Sequence, residues 1–154
     1  MSREHTIVPT AKRQRWLAVL ARAELGELQK AWIDYADKAS YRFLRKPEIG
    51  LVMTRGRAGG TGQPFNLGEM TVTRCAVQLV GSNVVGFGYV GGRRPQQAEL
   101  IAAFDALLQV PSLNTHIERE VIEPLARLQR KRREVAARKV ARTRVEFFTM
   151  VRGG

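Results

Sequence analysis

The sequence has almost none of the residues on which disulfide, metal or thiol chemistry depends. Its 154 residues include one cysteine, Cys75, and two histidines, His5 and His116. A single cysteine excludes an internal disulfide and a cysteine-rich metal site, and it is typical of a protein of the reducing cytoplasm. The two histidines are far apart in the chain, so we expect neither a metal site nor an acid–base pair from them.

Long apolar runs are also missing. No stretch approaches the ~20 apolar residues that a membrane-spanning helix needs. The N-terminal sequence MSREHTIVPTAKRQRW lacks the apolar core of a signal peptide. We therefore expect a cytoplasmic protein that does not have a membrane as its partner.

Acidic residues are scarce relative to basic ones. Lysine and arginine number 26 and aspartate and glutamate 14, which gives a net charge of +12. This excess favours binding to polyanions or to an acidic protein surface, without deciding between them. With 44% hydrophobic residues, residues 1–154 can bury the modest core of a single domain.

Helical spacing of apolar residues occurs before and after the middle of the chain. Over residues 10–38 it predicts two short helices, the first with Thr10 as its N-cap. Over residues 95–110 it predicts a third helix, which begins at Pro95 and can cover a sheet.

Apolar and polar residues alternate in the strand-like segments of residues 41–93, which are also rich in β-branched side chains, and this pattern predicts a sheet. The expected connections between its strands are Lys46-Pro47, a glycine-rich loop over residues 59–68, and the turn Gly81-Ser82-Asn83. Together with the helices, this indicates an α+β fold in which helices flank a small, mostly antiparallel sheet.

The C-terminal third predicts a basic helical arm followed by an extended tail. Residues 112–144 form the arm, which is broken or restarted at Pro124, and residues 127–144 carry nine Lys/Arg and one acid. Residues 145–154, VEFFTMVRGG, form an apolar tail that needs a covering surface, either a partner or the chain's own core. The residues that we assign to partner docking are Val145, Phe147, Phe148, Met150 and Arg152.

Residues 55–77, RGRAGGTGQPFNLGEMTVTRCAV, contain five glycines and three arginines. Clustered glycines expose backbone N–H groups to an anion, and arginines add charge. The spacing matches neither GxxxxGK[ST] nor a helix-opening GxGxxG, so a structural connection with glycines at positive φ is the other interpretation. The candidates for anion contact or an interface, which include one arginine after the stretch, are Arg55, Arg57, Gly59, Gly60, Thr61, Gly62, Asn66, Glu69, Arg74 and Arg93.

Other reactive groups do not assemble a site. Cys75 alternates with Thr73 and Val77 on the face of a strand that should point to the core, which predicts a buried structural thiol. Arg93 and Arg94 stand between a strand and a helix N-terminus, where they suit an anion but are equally ordinary as surface charge. We assign no catalytic and no metal-binding residue.

Four stretches follow one another along the chain: RQRWLAVLARA, PEIGLVMTRGRAGGTGQPFNLGEMTVTRCAVQL, GFGYVGGRRPQQAELIAAFDALLQ and VEFFTMVRGG. Together they resemble the PhnG family, a subunit of the bacterial carbon–phosphorus lyase system of phosphonate catabolism. The family's Gly-Arg-Asp and His-Ala-Glu are replaced here by Gly92-Arg93-Arg94 and Gln97-Ala98-Glu99. No role of an aspartate or histidine therefore carries over to those positions.

The resemblance implies an essential structural or allosteric subunit of a transferase complex. In that family the G subunit works with H, I and L subunits to displace adenine from ATP with an alkylphosphonate, giving ribose 1-methylphosphonate 5-triphosphate when the phosphonate is methylphosphonate. The I subunit resembles the principal nucleosidase. A hydrolase then trims the triphosphate, and a radical S-adenosylmethionine subunit with an iron–sulfur cluster breaks the carbon–phosphorus bond.

The resemblance also implies which partners and cofactors to expect. The partners are subunits of the H, I, J and L types, and ATP and the alkylphosphonate are substrates of the complex. Neither cofactor motif occurs in this sequence, so the iron–sulfur cluster and S-adenosylmethionine belong to a partner subunit and no cofactor is expected on this chain.

A basic RNA-binding or ribosome-associated protein is the alternative that the charge allows. Stacking on bases needs aromatic residues among the basic ones, and residues 127–144 contain none, so nucleic acid is not the expected partner. A self-contained nucleoside-processing enzyme would need acid–base groups that the sequence does not assemble.

Overall fold

The structure, a computed structural model, describes residues 8–57 and 62–152, without the side chains of Asn66 and of residues 147–152. It confirms the α+β fold. The elements are α1 (Thr10–Arg22), α2 (Leu25–Trp32), a 3-10 turn (Ala36–Lys38), β1 (Tyr41–Arg57), β2 (Pro64–Leu79), β3 (Val85–Gly91), α3 (Pro95–Leu108), α4 (Pro111–Ile117), a π-helical turn (Glu118–Ile122) and α5 (Glu123–Arg152).

The sheet contains β1, β2 and β3 in that order, and each neighbouring pair is antiparallel. β3 ends with Gly91 opposite Val72 of β2. Beyond that point β1 and β2 continue as a two-stranded ribbon until Arg57 lies opposite Pro64. We call residues 51–57 and 64–71 the hairpin arm.

Two predicted strand boundaries are wrong. β1 runs without interruption through Lys46-Pro47, and register shifts between Phe43 and Arg45 and between Arg45 and Glu48 accommodate the extra residues. Proline is tolerated there because β1 is an edge strand, on which a missing N–H need not break the ladder. β2 begins at Pro64, so residues 64–68 are paired rather than part of the predicted loop. A bulge and Gly68, whose φ is 155°, bend this part of the ribbon.

Helix α3 packs on the sheet at very close range through small residues. Gly86 and Gly88 of β3 face it, and a Cβ on Gly88 would overlap the carbonyl oxygen of Ala98. A Cβ on Gly86 would likewise overlap the carbonyl oxygen of Ala102. The alternating glycines of β3 are therefore required by the approach of the helix backbone.

The core lies between α1, α2, α3 and the covered face of the sheet. Trp16 and Leu20 from α1 and Phe104 from α3 are fully buried in it. Phe104 meets the ring of Trp32 edge-on at 5.1 Å and that of Tyr35 at 5.9 Å. This cluster fixes α3 as the central helix of the domain.

The buried carboxylate of Asp105 joins three elements. It accepts hydrogen bonds from Arg13 (Nη2, 2.8 Å, and Nε, 3.1 Å) and from the indole N–H of Trp16 (2.9 Å). It also accepts the backbone N–H of Phe87 at 2.8 Å, and Gln109 donates to the carbonyl of Val85 at 2.8 Å. Asp105 and Gln109 thus satisfy outward backbone groups of β3 and cover that edge of the sheet at Val85 and Phe87.

Two predicted helix ends are also wrong. Pro9 occupies the cap position of α1 and Thr10 is its first residue, because the fixed φ of proline starts the turn one residue earlier. The tail is not extended, since α5 continues through Arg152. No glycine or proline occurs between Leu125 and Arg152, so helix propagation has no reason to stop.

The predicted break or restart at Pro124 does not occur, because α4, the π-helical turn and α5 follow one another without a gap from Pro111 to Arg152. The π-helical turn immediately precedes α5, and Pro124 is its second residue. The wider turn relieves the clash that a proline ring makes with the carbonyl four residues before it. The predicted turn Gly81-Ser82-Asn83 is confirmed, with Gly81 at φ 77°.

Candidate functional site

The hairpin arm exposes apolar side chains on both of its faces. Leu51 and Met53 alternate onto one face and are 66% and 50% exposed. Leu67 packs over Gly56 on the other face and is 64% exposed. An isolated two-stranded hairpin is marginally stable in water, and exposed apolar surface of this kind marks an interaction site. The arm is therefore the first candidate functional surface.

The structure does not bring the candidate arginines together. Arg55 lies opposite Asn66 in the arm, whereas Arg74 pairs with Glu48 at 3.1 Å in the body of the sheet. At ~3.4 Å per residue, the path along β2 from residue 66 to residue 74 is ~27 Å. Arg55 and Arg57 on one side and Arg74 on the other cannot cradle the same small anion.

The remaining candidates of the glycine-rich stretch are only partly described. Gly59, Gly60 and Thr61 lie outside the described residues, as does the side chain of Asn66. Gly62 precedes β2, and Glu69 is an exposed residue of the arm opposite Met53. The stretch is thus largely the distal part of a β-hairpin.

Arg93 lies at a separate pocket of ≈ 480 Å³, where α2 and α3 begin. Gln97 forms its buried wall, donating to the carbonyl of Ala23 at 2.6 Å and accepting from Arg94 at 3.3 Å. Arg94 and Gln97, where the resemblance led us to expect aspartate and histidine, are therefore in contact. The pocket is lined by Glu24, Leu25, Arg93, Arg94, Pro95, Gln96 and Gln97.

The titratable groups of the core are not suited to nucleophilic chemistry near neutral pH. Burial, with a smaller contribution from Glu99, raises the pKa of the Cys75 thiol to about 11. Burial and the hydrogen bond that Tyr41 donates to Glu99 at 2.8 Å raise the pKa of the Tyr41 hydroxyl. Cys75 is a buried structural thiol, as predicted. Among residues 8–57 and 62–152, no group of three or more His, Cys, Asp or Glu could hold a metal ion.

Helix α5 forms the second candidate surface, which is basic. Its first turns are attached to the domain, since Gln129 donates to the carbonyl of Val19 at 2.8 Å and Arg132 to Glu27 at 2.6 Å. Residues 133–146 are exposed all round, with Val135 and Val140 more than half exposed. A helix with so little of its own surface covered is expected to lie against another molecule.

The predicted docking residues lie at the end of this helix. Val145 is 64% exposed. The backbone of Phe147, Phe148, Met150 and Arg152 is helical, while their side chains lie outside the described residues.

The part of the chain that matches known proteins includes both candidate surfaces and the pocket. The family model of the phosphonate metabolism protein PhnG matches residues 11–153. The chain belongs to the PhnG family. A relative in Rhizobium meliloti (strain 1021), the alpha-D-ribose 1-methylphosphonate 5-triphosphate synthase subunit PhnG, is 46% identical over 143 residues, 93% of this chain and 90% of the relative. The predicted family is thereby confirmed.

The sequence did not predict one feature of this PhnG-family chain, the exposed apolar edge of β1. Ile49, Leu51 and Met53 are all exposed, whereas the sequence predicted only that they belong to a strand. No local signal could have shown this, because the exposure depends on the place of β1 at the edge of the strand order β1-β2-β3. Among the residues described, no helix has both the length and the apolar composition to cross a membrane.

Proposed function

We propose that the chain is a non-catalytic subunit of an alpha-D-ribose 1-methylphosphonate 5-triphosphate synthase complex. The observation that carries the proposal is the 46% identity to a relative that is named as such a subunit. Two features of the fold support it. The hairpin arm and α5 leave apolar and basic surface uncovered, and a partner subunit would bury both.

In the proposed reaction a phosphonate oxygen of the alkylphosphonate attacks C1′ of the ribose of ATP, and adenine leaves. The product is ribose 1-alkylphosphonate 5-triphosphate, and the enzyme class is a transferase. The groups that activate the phosphonate and the leaving base belong to partners of the H, I and L types, with a J-type subunit also in the complex. This chain would hold no cofactor, and it would act by assembling or orienting those partners.

The arginines of the arm give it a more direct role within this proposal. Arg55 and Arg57 alternate onto one face at the distal end of the ribbon, where they can contact an anionic group in a shared site. Changing Arg57 to Ala should leave the fold intact and weaken the activity of the complex. Arg93→Ala tests the other candidate site, the pocket beside α3, separately.

We propose that α5 docks on an acidic face of a partner. Residues 127–144 carry nine basic side chains and one acid, which steers encounter with such a face. Deleting residues 145–154 should leave a folded chain that is recovered in the complex in smaller amount. Unchanged recovery of the truncated chain would contradict a docking role for the helix end, and loss of the circular dichroism signal would assign it to the domain's own core.

The experiment that tests the function is co-expression with the candidate partner subunits, followed by size-exclusion chromatography and an assay of adenine release from ATP and methylphosphonate. We expect co-elution at fixed stoichiometry, activity of the complex, and no adenine release by the isolated chain. Activity of the repurified single chain would contradict the non-catalytic role. Binding to RNA at physiological salt without co-elution would favour the alternative function.

A further inference from the structure

The two edges of the sheet are treated differently by the rest of the fold. The edge formed by β3 is covered at Val85 and Phe87, because Asp105 accepts the N–H of Phe87 and Gln109 donates to the carbonyl of Val85. The edge formed by β1 has β2 as its strand neighbour on one side and, among the described residues, no strand on the other. A long open edge is a template for pairing with another strand.

The hydrogen-bond pattern identifies which backbone groups of β1 face outward. Leu79 donates to Val84 and Gly92 to Thr71, so the odd-numbered residues of β2 over this span bond to β3. The even-numbered residues Arg74, Val72 and Met70 then bond to their partners Glu48, Gly50 and Val52 on β1. The residues between those partners, Ile49, Leu51 and Met53, therefore direct their N–H and C=O groups to the open edge.

The same alternation can be checked on β3. It requires the N–H of Phe87 to point away from β2, since Phe87 lies opposite the even-numbered residue Ala76. That N–H is the one that Asp105 accepts. The assignment of Ile49, Leu51 and Met53 to the open edge of β1 thus rests on a pattern that the opposite edge obeys.

We propose that the open edge of β1 at Ile49, Leu51 and Met53 binds an extended strand of a partner subunit, which adds a fourth strand to the sheet. The inference rests on the proposed function, because it needs a complex in which such a partner exists. Main-chain bonds to these three residues give affinity, and their exposed side chains give the partner strand an apolar face to pack against.

Charge decides the chemistry of the partner strand. The basic residues Arg45 and Lys46 precede this edge segment, and Arg55 and Arg57 follow it. The one acid of β1, Glu48, already forms ion pairs with Arg45 at 2.9 Å and with Arg74 at 3.1 Å. A second copy of this chain, also with net charge +12, would bring like charges together. The fitting occupant is a segment of another subunit that alternates apolar residues with aspartate or glutamate.

Hydrogen exchange followed residue by residue tests the pairing in the wild-type protein. In the isolated chain the amides of Gly50 and Val52 should exchange slowly and those of Ile49, Leu51 and Met53 fast. In the co-purified complex the three odd-numbered amides should slow by at least ~10-fold. Unchanged exchange of these amides in the complex would overturn the inference, as would slow exchange in the isolated chain, which would show an edge already covered.

A proline variant provides the matched genetic test. Leu51→Pro removes an outward N–H, which an edge strand tolerates, while Leu51→Thr keeps the N–H and changes only the side chain. We expect Leu51→Pro to keep its circular dichroism spectrum and to lose co-purification, and Leu51→Thr to be recovered with the complex. Full recovery of Leu51→Pro would overturn the edge pairing alone. Failure of the wild-type chain to join any complex would overturn the proposed function itself.

Discussion

Replacing Asp105 with alanine should be among the most damaging single changes in the domain. The carboxylate is fully buried and accepts hydrogen bonds from Arg13, Trp16 and the backbone of Phe87. Alanine would leave the indole N–H of the fully buried Trp16 and the edge N–H of Phe87 without acceptors. The unsatisfied indole N–H, which is buried, costs about 1–3 kcal/mol, and the lost hydrogen bonds between the partly exposed Arg13 and the carboxylate cost about 1.5–3 kcal/mol more.

We therefore expect the free energy of unfolding to fall by about 4 kcal/mol in Asp105→Ala. With a urea dependence of about 2 kcal/mol per molar, this lowers the unfolding midpoint by about 2 M. Urea unfolding followed by tryptophan fluorescence measures it, since Trp16 is buried next to the site. Asp105→Asn keeps one carbonyl oxygen as an acceptor, so its free energy of unfolding should fall by less.

Glu48→Ala is the control variant, because it also removes an acid that is bonded to arginine, but at an exposed position. Glu48 bonds Arg45 and Arg74, but all three side chains are about half exposed. Exposed ion pairs contribute about 0–1 kcal/mol, so this variant should unfold close to the wild-type midpoint. If Asp105→Ala lies within about 1 kcal/mol of Glu48→Ala, the junction of α1, α3 and β3 does not depend on this carboxylate and the reasoning is refuted.

Three further predictions concern packing, reactivity and pH. Gly88→Ala should destabilise the domain by about 3 kcal/mol or more because the added Cβ meets backbone of α3, whereas Gly91→Ala, with nothing near its Cβ position, should change the melting temperature little. Cys75, with its pKa raised to about 11, should react with iodoacetamide at pH 8 far more slowly in the folded chain than in urea, and equal rates would contradict its burial. Burial raises the pKa of Glu118, and its Oε1 has no hydrogen-bond partner among the described residues. Folding therefore favours the protonated form of Glu118. The stability that this protonated form contributes is lost as the pH rises above 4.5, the ordinary pKa of a glutamate. Glu118→Gln should match the wild type in thermal melts below that pH and exceed it at pH 7; a constant difference would contradict the shift.

Local patterns in the sequence were enough to determine the elements that depend on local physics. The apolar stripe and Pro95 predicted α3, which the structure places over residues 95–108. Gly81 predicted a turn and has the positive φ that only glycine adopts readily. The alternation around Cys75 predicted its burial, and the four resembling stretches identified the family.

Tertiary structure alone decided which strand edge remains open and how far the ribbon extends. A strand's sequence has the same alternation whether its outer edge is paired, covered or free, because side chains report the two faces of a sheet and not its edges. The edge of β3 is covered at Val85 and Phe87 because Asp105 of α3 and Gln109, about 20 residues later in the chain, pass beside it. β1 has an open edge because it stands first in the strand order β1-β2-β3, and the ribbon extends because β1 has 17 residues and β3 only seven. Both are relations between distant segments that no local pattern contains.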